Sequence, residues 1–438
     1  MVLLTAVLNS AFVLRFPRLR QYPNRYLALE MTKSQVNKLG KNIRKLIKDK
    51  KSPSPELLEQ LQEYRTSFKS DLSSVFEVIA NIAKDIRSDT ITAFRIKRIE
   101  SILSKIKRQP TMSLGNMGDI AGCRILLYHD NSIPKLIETL RGRFEVKYVN
   151  DYLQETKDDG YRGYHLYIES PINPSKLIEI QIRTVKSHKW ASMVEIIDIL
   201  YNLKIKEGQK HPDFERFLLQ LSKIEELKFE EKKEVIKIDN KYKVHSKFNE
   251  VFIKNNAKIR KDWFCHIGKK NNYFIIEVDK NKSSNISSFE TYEQAEKIYF
   301  EKFKLENKSN FVLTHIEKPN FKRVCIAYAS YVLINHDYLN DWYTLAQEIL
   351  NKLIADKNNK EAKDYKLYIQ NNLREQLSLL KNEIDELSEY KKDESHSLDG
   401  YEEWLEEIKE RLTDIAKIAI DQSNNNKDKN RWTSWLKS

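Results

Sequence analysis

A chain of 438 residues and 52.0 kDa is long enough for roughly two to four domains. Its 40% hydrophobic residues exclude disorder over most of the length, and only 10 Gly and 10 Pro exclude collagen-like or flexible-linker architectures. A formal net charge of +13, with the basic excess gathered between Thr32 and Pro110, points to a polyanionic partner: nucleotide phosphates, RNA or an anionic membrane.

Residues 1–16 form the only apolar stretch near an end. They are shorter than the ~20 residues of a membrane span and are interrupted by Asn9 and Ser10. Without a basic flank or a small-residue cleavage signal, neither a membrane segment nor a secretory signal is expected. Residues 1–31 are expected to be a poorly ordered or mis-assigned extension, with translation starting at Met31. Cys123, Cys265 and Cys325 are too few and too far apart for a disulfide framework or a closed zinc site. They read as reduced thiols of a cytoplasmic protein.

Residues 35–51 are basic and weakly helical. Pro53 and Pro55 interrupt them, and apolar residues then fall at Leu61, Tyr64, Phe68, Leu72, Val75, Ile79, Ile82 and Ile86. Steps of three and four predict one long amphipathic helix from residue 57, followed by a second over 94–107. The period then changes. Residues 123–128, 144–149, 164–169 and 177–183 read as strands. Residues 132–140 read as a helix capped by Ser132 and stopped at Gly142. The result is an α/β core of four or five strands, followed by helical stretches at 185–204 and 214–237. The second half carries strands at 273–278 and 311–315 around a helix at 292–304, then long charged helices at 361–392 and 401–420. The expected division is a core domain at 32–210, a helical linker at 211–240, a small α/β module at 241–345, a helical region at 346–422 and a basic tail at 423–438.

Chemistry concentrates in four places. Along strand 177–183, period-two geometry puts Ile178, Ile180 and Ile182 on one face and Glu179, Gln181 and Arg183 on the other. By itself that pattern also fits a solvated strand face. Lys97, Ser101 and Lys105 recur at i, i+4, i+8 with Arg95 nearby, a basic face that suits phosphate. Asp119 follows a loop with Gly115 and Gly118, where a carboxylate could hold a metal. Residues 157–165 pack Lys157, Tyr161, Arg162, Tyr164 and His165 around Gly160 and Gly163, a composition suited to nucleobase stacking beside phosphate.

RIKRIESILSK (95–105), DIAGCRI (119–125), GYRGYH (160–165), EIQIRT (179–184) and Trp190-Ala191 resemble, in order, the motifs of the RelA/SpoT alarmone synthetases of the small single-synthetase type. The resemblance covers roughly residues 38–204. It implies a nucleotidyltransferase-like mixed sheet flanked by helices, and transfer of pyrophosphate from ATP to a ribose 3′-hydroxyl with Mg²⁺. Carried over by position, Arg95, Lys97, Ser101 and Lys105 resemble the ATP-phosphate face, with Arg124 close by. Asp119 resembles the Mg²⁺ ligand and Glu179 the second catalytic, metal-holding carboxylate. Lys157, Tyr161 and His165 resemble the acceptor site, where Tyr161 would stack on the base, supported by Gln181, Arg183 and Thr184.

Some positions depart from the family's pattern. Asp159 stands where Asn is usual, Gly163-Tyr164 where Ser and a small apolar residue are usual, and Val194-Glu195 replaces a Glu-His pair. These leave three readings of the acceptor: GDP or GTP, giving (p)ppGpp; the 3′ end of tRNA, as in toxin-type relatives; or no turnover, in a nucleotide- or RNA-binding module. No histidine precedes Arg95, so a hydrolase domain is not expected. His129-Asp130 and His336-Asp337 read as turn or surface pairs. The half after residue 237 holds no second cluster of acids, histidines or nucleophiles. It is expected either to pack structurally or to act as a control domain answering a regulatory partner, and homo-oligomers are compatible with it.

Overall fold

A computed structural model describes residues 31–203, 205, 209–278, 284–305, 310–327, 337–392 and 398–422. Residues 1–30 of the expected extension, His336 and the tail 423–438 lie outside the described residues. The elements in chain order are α1 (Lys33–Lys48), α2 (Pro55–Thr66), α3 (Lys69–Ile86), β1 (Ile91–Ile96), α4 (Ile99–Arg108), β2 (Ala121–Leu127), α5 (Ile133–Arg143), β3 (Val146–Asp151), β4 (Tyr164–Glu169), β5 (Leu177–Thr184) and α6 (Val185–Leu200). They continue with α7 (Pro212–Ser222), α8 (Phe229–Tyr242), α9 (Val244–Phe264), β6 (Tyr273–Val278), β7 (Ser284–Phe289), α10 (Tyr292–Leu305), β8 (Asn310–Ile316), α11 (Phe321–Ala327), α12 (Asp337–Ala355), α13 (Asn359–Lys392) and α14 (Leu398–Gln422).

Three local expectations are corrected. The single helix from residue 57 is two helices, α2 and α3, because the chain breaks at Ser67–Phe68. There the Thr66 and Ser67 hydroxyls donate back to the Gln62 and Tyr64 carbonyls. Buried Lys176 donates to the Ser67 carbonyl at 2.7 Å and to Asp71 at 2.9 Å. Both helices feed the same apolar stripe, so periodicity does not register the break. The helix expected over 94–107 begins as strand β1, which makes Arg95 a strand residue. Ile91 and Ala93 face one core while Phe94 and Ile96 face the other. A strand buried on both faces loses its alternation, and its run of apolar residues can be taken for helix. Gly142 is not a stop either; α5 runs to Arg143.

Among the described residues, eight strands form one mixed sheet in the order β3-β4-β5-β2-β1-β8-β6-β7. Only β2 and β5 pair in parallel; the neighbours on either side are antiparallel. The strands expected to form a separate module pair directly with the first half, through β1 and β8 (Ile91 opposite Ile316, Phe94 opposite Leu313). Thr314 Oγ1 adds a bond to the Thr92 carbonyl at 2.8 Å. Under one face lie α1–α5 and α10, closing a core with Phe94, Cys123, Ile125, Leu166, Ile178, Ile180, Ile182 and Leu313. Over the other face, α6–α9 and α11–α14 close a second core with Ala93, Leu126, Phe274, Ile276, Val312 and Ile316. The result is an α/β fold with a mixed sheet flanked by helices. Among the described residues no helix is long and apolar enough to cross a membrane.

Candidate active site

The strand registers carry the polar residues into two transverse rows on one sheet face. The first row runs Tyr148, Tyr167, Glu179, Gly122, Arg95 across β3, β4, β5, β2 and β1. The second runs Asn150, His165, Gln181, Arg124, Ala93. Residues directly opposite one another have side chains about 5 Å apart, so separate motifs become one surface.

Glu179 is the most heavily bonded group. Its Oε1 accepts from His165 Nδ1 at 2.9 Å and from the Tyr167 hydroxyl at 2.6 Å, and its Oε2 accepts from Gln181 Nε2 at 2.7 Å. Burial opposes ionisation, but these donors outweigh it and hold the carboxyl down to about 2. His165 is kept neutral by burial despite the adjacent carboxylate. Its Nδ1 therefore carries the proton, and Nε2 accepts from the Tyr161 hydroxyl at 2.6 Å.

Asp119 lies between the end of α4 and the start of β2. Lys97 Nζ and Lys105 Nζ reach its Oδ2 at 2.9 and 2.8 Å. Burial works against the charge, but the two lysines prevail and hold Asp119 below the usual carboxylate range. Its Oδ1 is buried with no hydrogen-bond partner among the described residues. Lys97 stands at the strand–helix junction rather than on α4. Its backbone N–H donates to the Ile120 carbonyl at 2.7 Å, and its carbonyl accepts from Arg65 Nε at 2.8 Å. The two cations thus converge from a junction and a helix. Ser101 lies half-buried on α4, and Arg95 is exposed.

Gln181 Oε1 accepts from Arg183 Nη2 at 2.8 Å and from Arg124 Nε at 3.4 Å. Burial first, then Arg183 and Arg95, lower the Arg124 guanidinium to about 9, with Glu195 acting the other way. Arg183 lies 4.8 Å from the centre of the Tyr161 ring, and exposed Lys157 lies 5.0 Å from it. Thr184 caps α6: its hydroxyl accepts from the Ser187 N–H and donates to the Ser187 hydroxyl.

The loop before β4 is anchored at its back. Gly160 has φ +89°, and a Cβ there would sit 2.3 Å from Ser222 Oγ at the end of α7, so only glycine fits.

Sequence reasoning missed the tyrosine pair. Tyr148 and Tyr167 stack with centroids 4.2 Å apart, and they close over Gly118, where a Cβ would meet the Tyr148 hydroxyl and the Tyr167 ring, each at 2.8 Å. Burial, with Asp119 and Glu179 adding to it, pushes the Tyr148 hydroxyl up to about 12, which places both carboxylates around one phenol. The available signal was Tyr167 at i+2 from His165, on the same face of β4.

Residues 94–206 match the family model described as a region found in RelA / SpoT proteins. The GTP pyrophosphokinase YjbM of Bacillus subtilis (strain 168) is 36% identical over 125 residues, 26% of this chain and 59% of that protein. GTP pyrophosphokinase YwaC of the same organism is 35% identical over 114 residues, 23% of this chain and 54% of that protein. The chain therefore spans little more than half the length of these curated relatives. Among solved structures, small alarmone synthetase 1 from Bacillus subtilis bound to its product pppGpp aligns with a TM-score of 0.34 and 26% identity, over 38% of this chain and 90% of that one. Residues 94–206 are a RelA/SpoT region, and all five sequence motifs fall inside it.

Proposed function

We propose that this cleft transfers the β,γ-pyrophosphate of ATP to the 3′-hydroxyl of GDP or GTP, making (p)ppGpp and AMP. The observation that carries the reading is the convergence of Lys97 and Lys105 on Asp119, with Glu179 on the neighbouring sheet row. Two fixed anions and a cluster of cations suit a transferring polyphosphate, because phosphoryl chemistry needs in-line positioning and charge neutralisation more than covalent help.

The open Oδ1 of Asp119 and the ionised Glu179 fit Mg²⁺. Among the described residues no group of three acids, histidines or cysteines gathers, so phosphate oxygens and water would complete its shell. Bound there, the ion would neutralise charge on the transferring phosphates. On the protein side, Lys97, Lys105, Arg95 and Arg124 cover phosphate oxygens. Tyr161 takes the acceptor base, which replaces Lys157 on its ring, while His165 fixes its hydroxyl. A carboxylate held to about 2 is a weak proton acceptor at neutral pH, so Glu179 orients the 3′-hydroxyl rather than ionising it. In a loose transition state that proton leaves late.

A tRNA 3′ end is the second reading. Exposed Lys33, Lys38, Lys41, Lys45 and Lys48 lie on α1, and α1 packs against the loop leading to Asp119 through Asn37–Gly115 and Arg44–Met112 contacts. That basic surface suits a longer polyanion.

The deciding experiment incubates the full chain with γ-labelled ATP and GDP, GTP or bulk tRNA. Label on GDP or GTP supports the first reading and label on tRNA the second. Label on none, with the protein folded, refutes both and leaves a binding module.

A further inference from the structure

His188, on α6 two residues before Trp190, is 2% exposed. Its Nε2 lies 2.9 Å from the Ile326 carbonyl of α11. A carbonyl only accepts, so Nε2 carries the proton. Burial, and then the charges of Arg124 and Arg183, keep the ring neutral, which leaves Nδ1 as a bare lone pair. That lone pair has no hydrogen-bond partner among the described residues, and neither does the buried Nε–H of Arg183. An open acceptor and an open donor, both buried and within electrostatic reach of each other, are costly unless something closes them.

Arg183 is also the side chain that links Gln181 to the Tyr161 ring. Any rotation of its guanidinium changes what it offers an anion in the cleft.

We propose that His188 is a positioning residue for the Arg124–Arg183 pair: the Ile326 carbonyl locks its tautomer, and its Nδ1 receives a guanidinium N–H when the pair turns onto the substrate polyphosphate. The proposal rests on the pyrophosphoryl-transfer reading and adds to it that a backbone carbonyl of the second half sets the state of a residue beside Arg124 and Arg183.

Three variants of the full chain separate the two ends of the imidazole. His188→Asn keeps an acceptor near the place of Nδ1 but cannot reach Ile326. His188→Gln reaches Ile326 but offers nothing at Nδ1. His188→Ala loses both. The expected result is kcat lowered about tenfold by Ala and Gln, the loss of one hydrogen bond to a charged group. Asn should stay within about threefold, and KM for ATP within about twofold, in all three. Gln active with Asn inactive would make His188 a strut between α6 and α11, and Ala equal to wild type would make it a spectator; either overturns the proposal.

A second measurement holds even if the variants fold poorly. In wild type labelled with ¹⁵N-histidine, a non-hydrolysable ATP analogue with GDP should move the His188 Nδ1 resonance from a bare imine towards a hydrogen-bonded one. Nucleotide binding with that resonance unmoved overturns the proposal. Failure of the wild type to label any acceptor refutes the transfer reading instead, so the two failures are distinguishable.

Discussion

One transverse row of the sheet contrasts the two halves of the molecule. It runs Asn150, His165, Gln181, Arg124, Ala93, Thr314, Phe274, Ser288 across all eight strands. Up to Arg124 it is polar and belongs to the candidate site, with His165 itself buried. From Ala93 through Phe274 it is buried, and helices of the second half cover it. The opposite face is apolar on both sides of that boundary, with Ile180, Cys123, Phe94, Leu313 and Ile275 all buried. The same backbone therefore serves as a site where this row is polar and as a core where it is apolar. Arginine and glutamine persist on the polar side because they bond one another there, Arg124 and Arg183 both to Gln181, whereas burying them without partners costs far more than any packing returns.

The sharpest way to break this comparison is to remove charge from the open half. Asp119→Asn and Glu179→Gln should each lower transfer by ~10²–10³-fold, the usual loss when a group stabilising developing charge is removed. Circular dichroism should stay unchanged, since both acids face the cleft. Near-normal transfer in either variant would remove that residue from the charge-handling role.

In the covered half, Phe274→Ala should destabilise by ~3–5 kcal/mol, as for other large buried aromatics. If the sheet is one cooperative unit, tryptophan fluorescence and nucleotide binding should be lost in a single transition. Two separated transitions would show that the β1–β8 pairing joins independent domains.

At the seam between loop and helix, Gly160→Ala should cost ~1–3 kcal/mol of apparent acceptor binding through backbone strain and the clash with Ser222. ATP KM should hardly change. Adding Ser222→Gly should restore the steric part only; no recovery at all would place the whole effect in the left-handed backbone.

The smallest expected effect is Tyr167→Phe, which removes one of three donors to Glu179 and should slow transfer roughly fivefold, about 1 kcal/mol. It should also change the acid limb of stability. The Glu179 carboxyl is lower in the folded protein, about 2, than its ordinary 4.5. Its contribution is therefore full above about 4.5 and lost as pH falls towards 2. With one donor gone the folded carboxyl moves back towards 4.5, so the loss still begins near 4.5 but is smaller and ends at higher pH, read as a shallower acid limb with a shifted midpoint in urea melts. An unshifted midpoint would mean Tyr167 does not share in holding the charge.

Much of the site was legible because its chemistry is local in sequence. Alternation along 177–183 separates Glu179, Gln181 and Arg183 from the isoleucines, and the strand bears this out, with Ile178, Ile180 and Ile182 fully buried. The strands at 164–169 and 273–278 were placed at their observed bounds. Residues buried on two sides were harder. β1 read as helix because its apolar residues serve two cores at once. The Thr184 hydroxyl also caps α6, a role that a one-dimensional motif does not reveal.

The sequence by itself determined the inventory: which residues carry charge, which strand face is polar, which glycines punctuate the loops, and the family of residues 94–206. Those properties follow from side-chain chemistry and a period of two or 3.6, and both can be read along the chain. Only the tertiary structure decided adjacency. Lys97 and Lys105 meet on Asp119, Tyr167 and His165 meet on Glu179, and Ile326 reaches His188 across 138 residues. Each of these depends on strand order and register. Those are set by which apolar faces can be buried together, a property of the whole packed molecule and of no single segment.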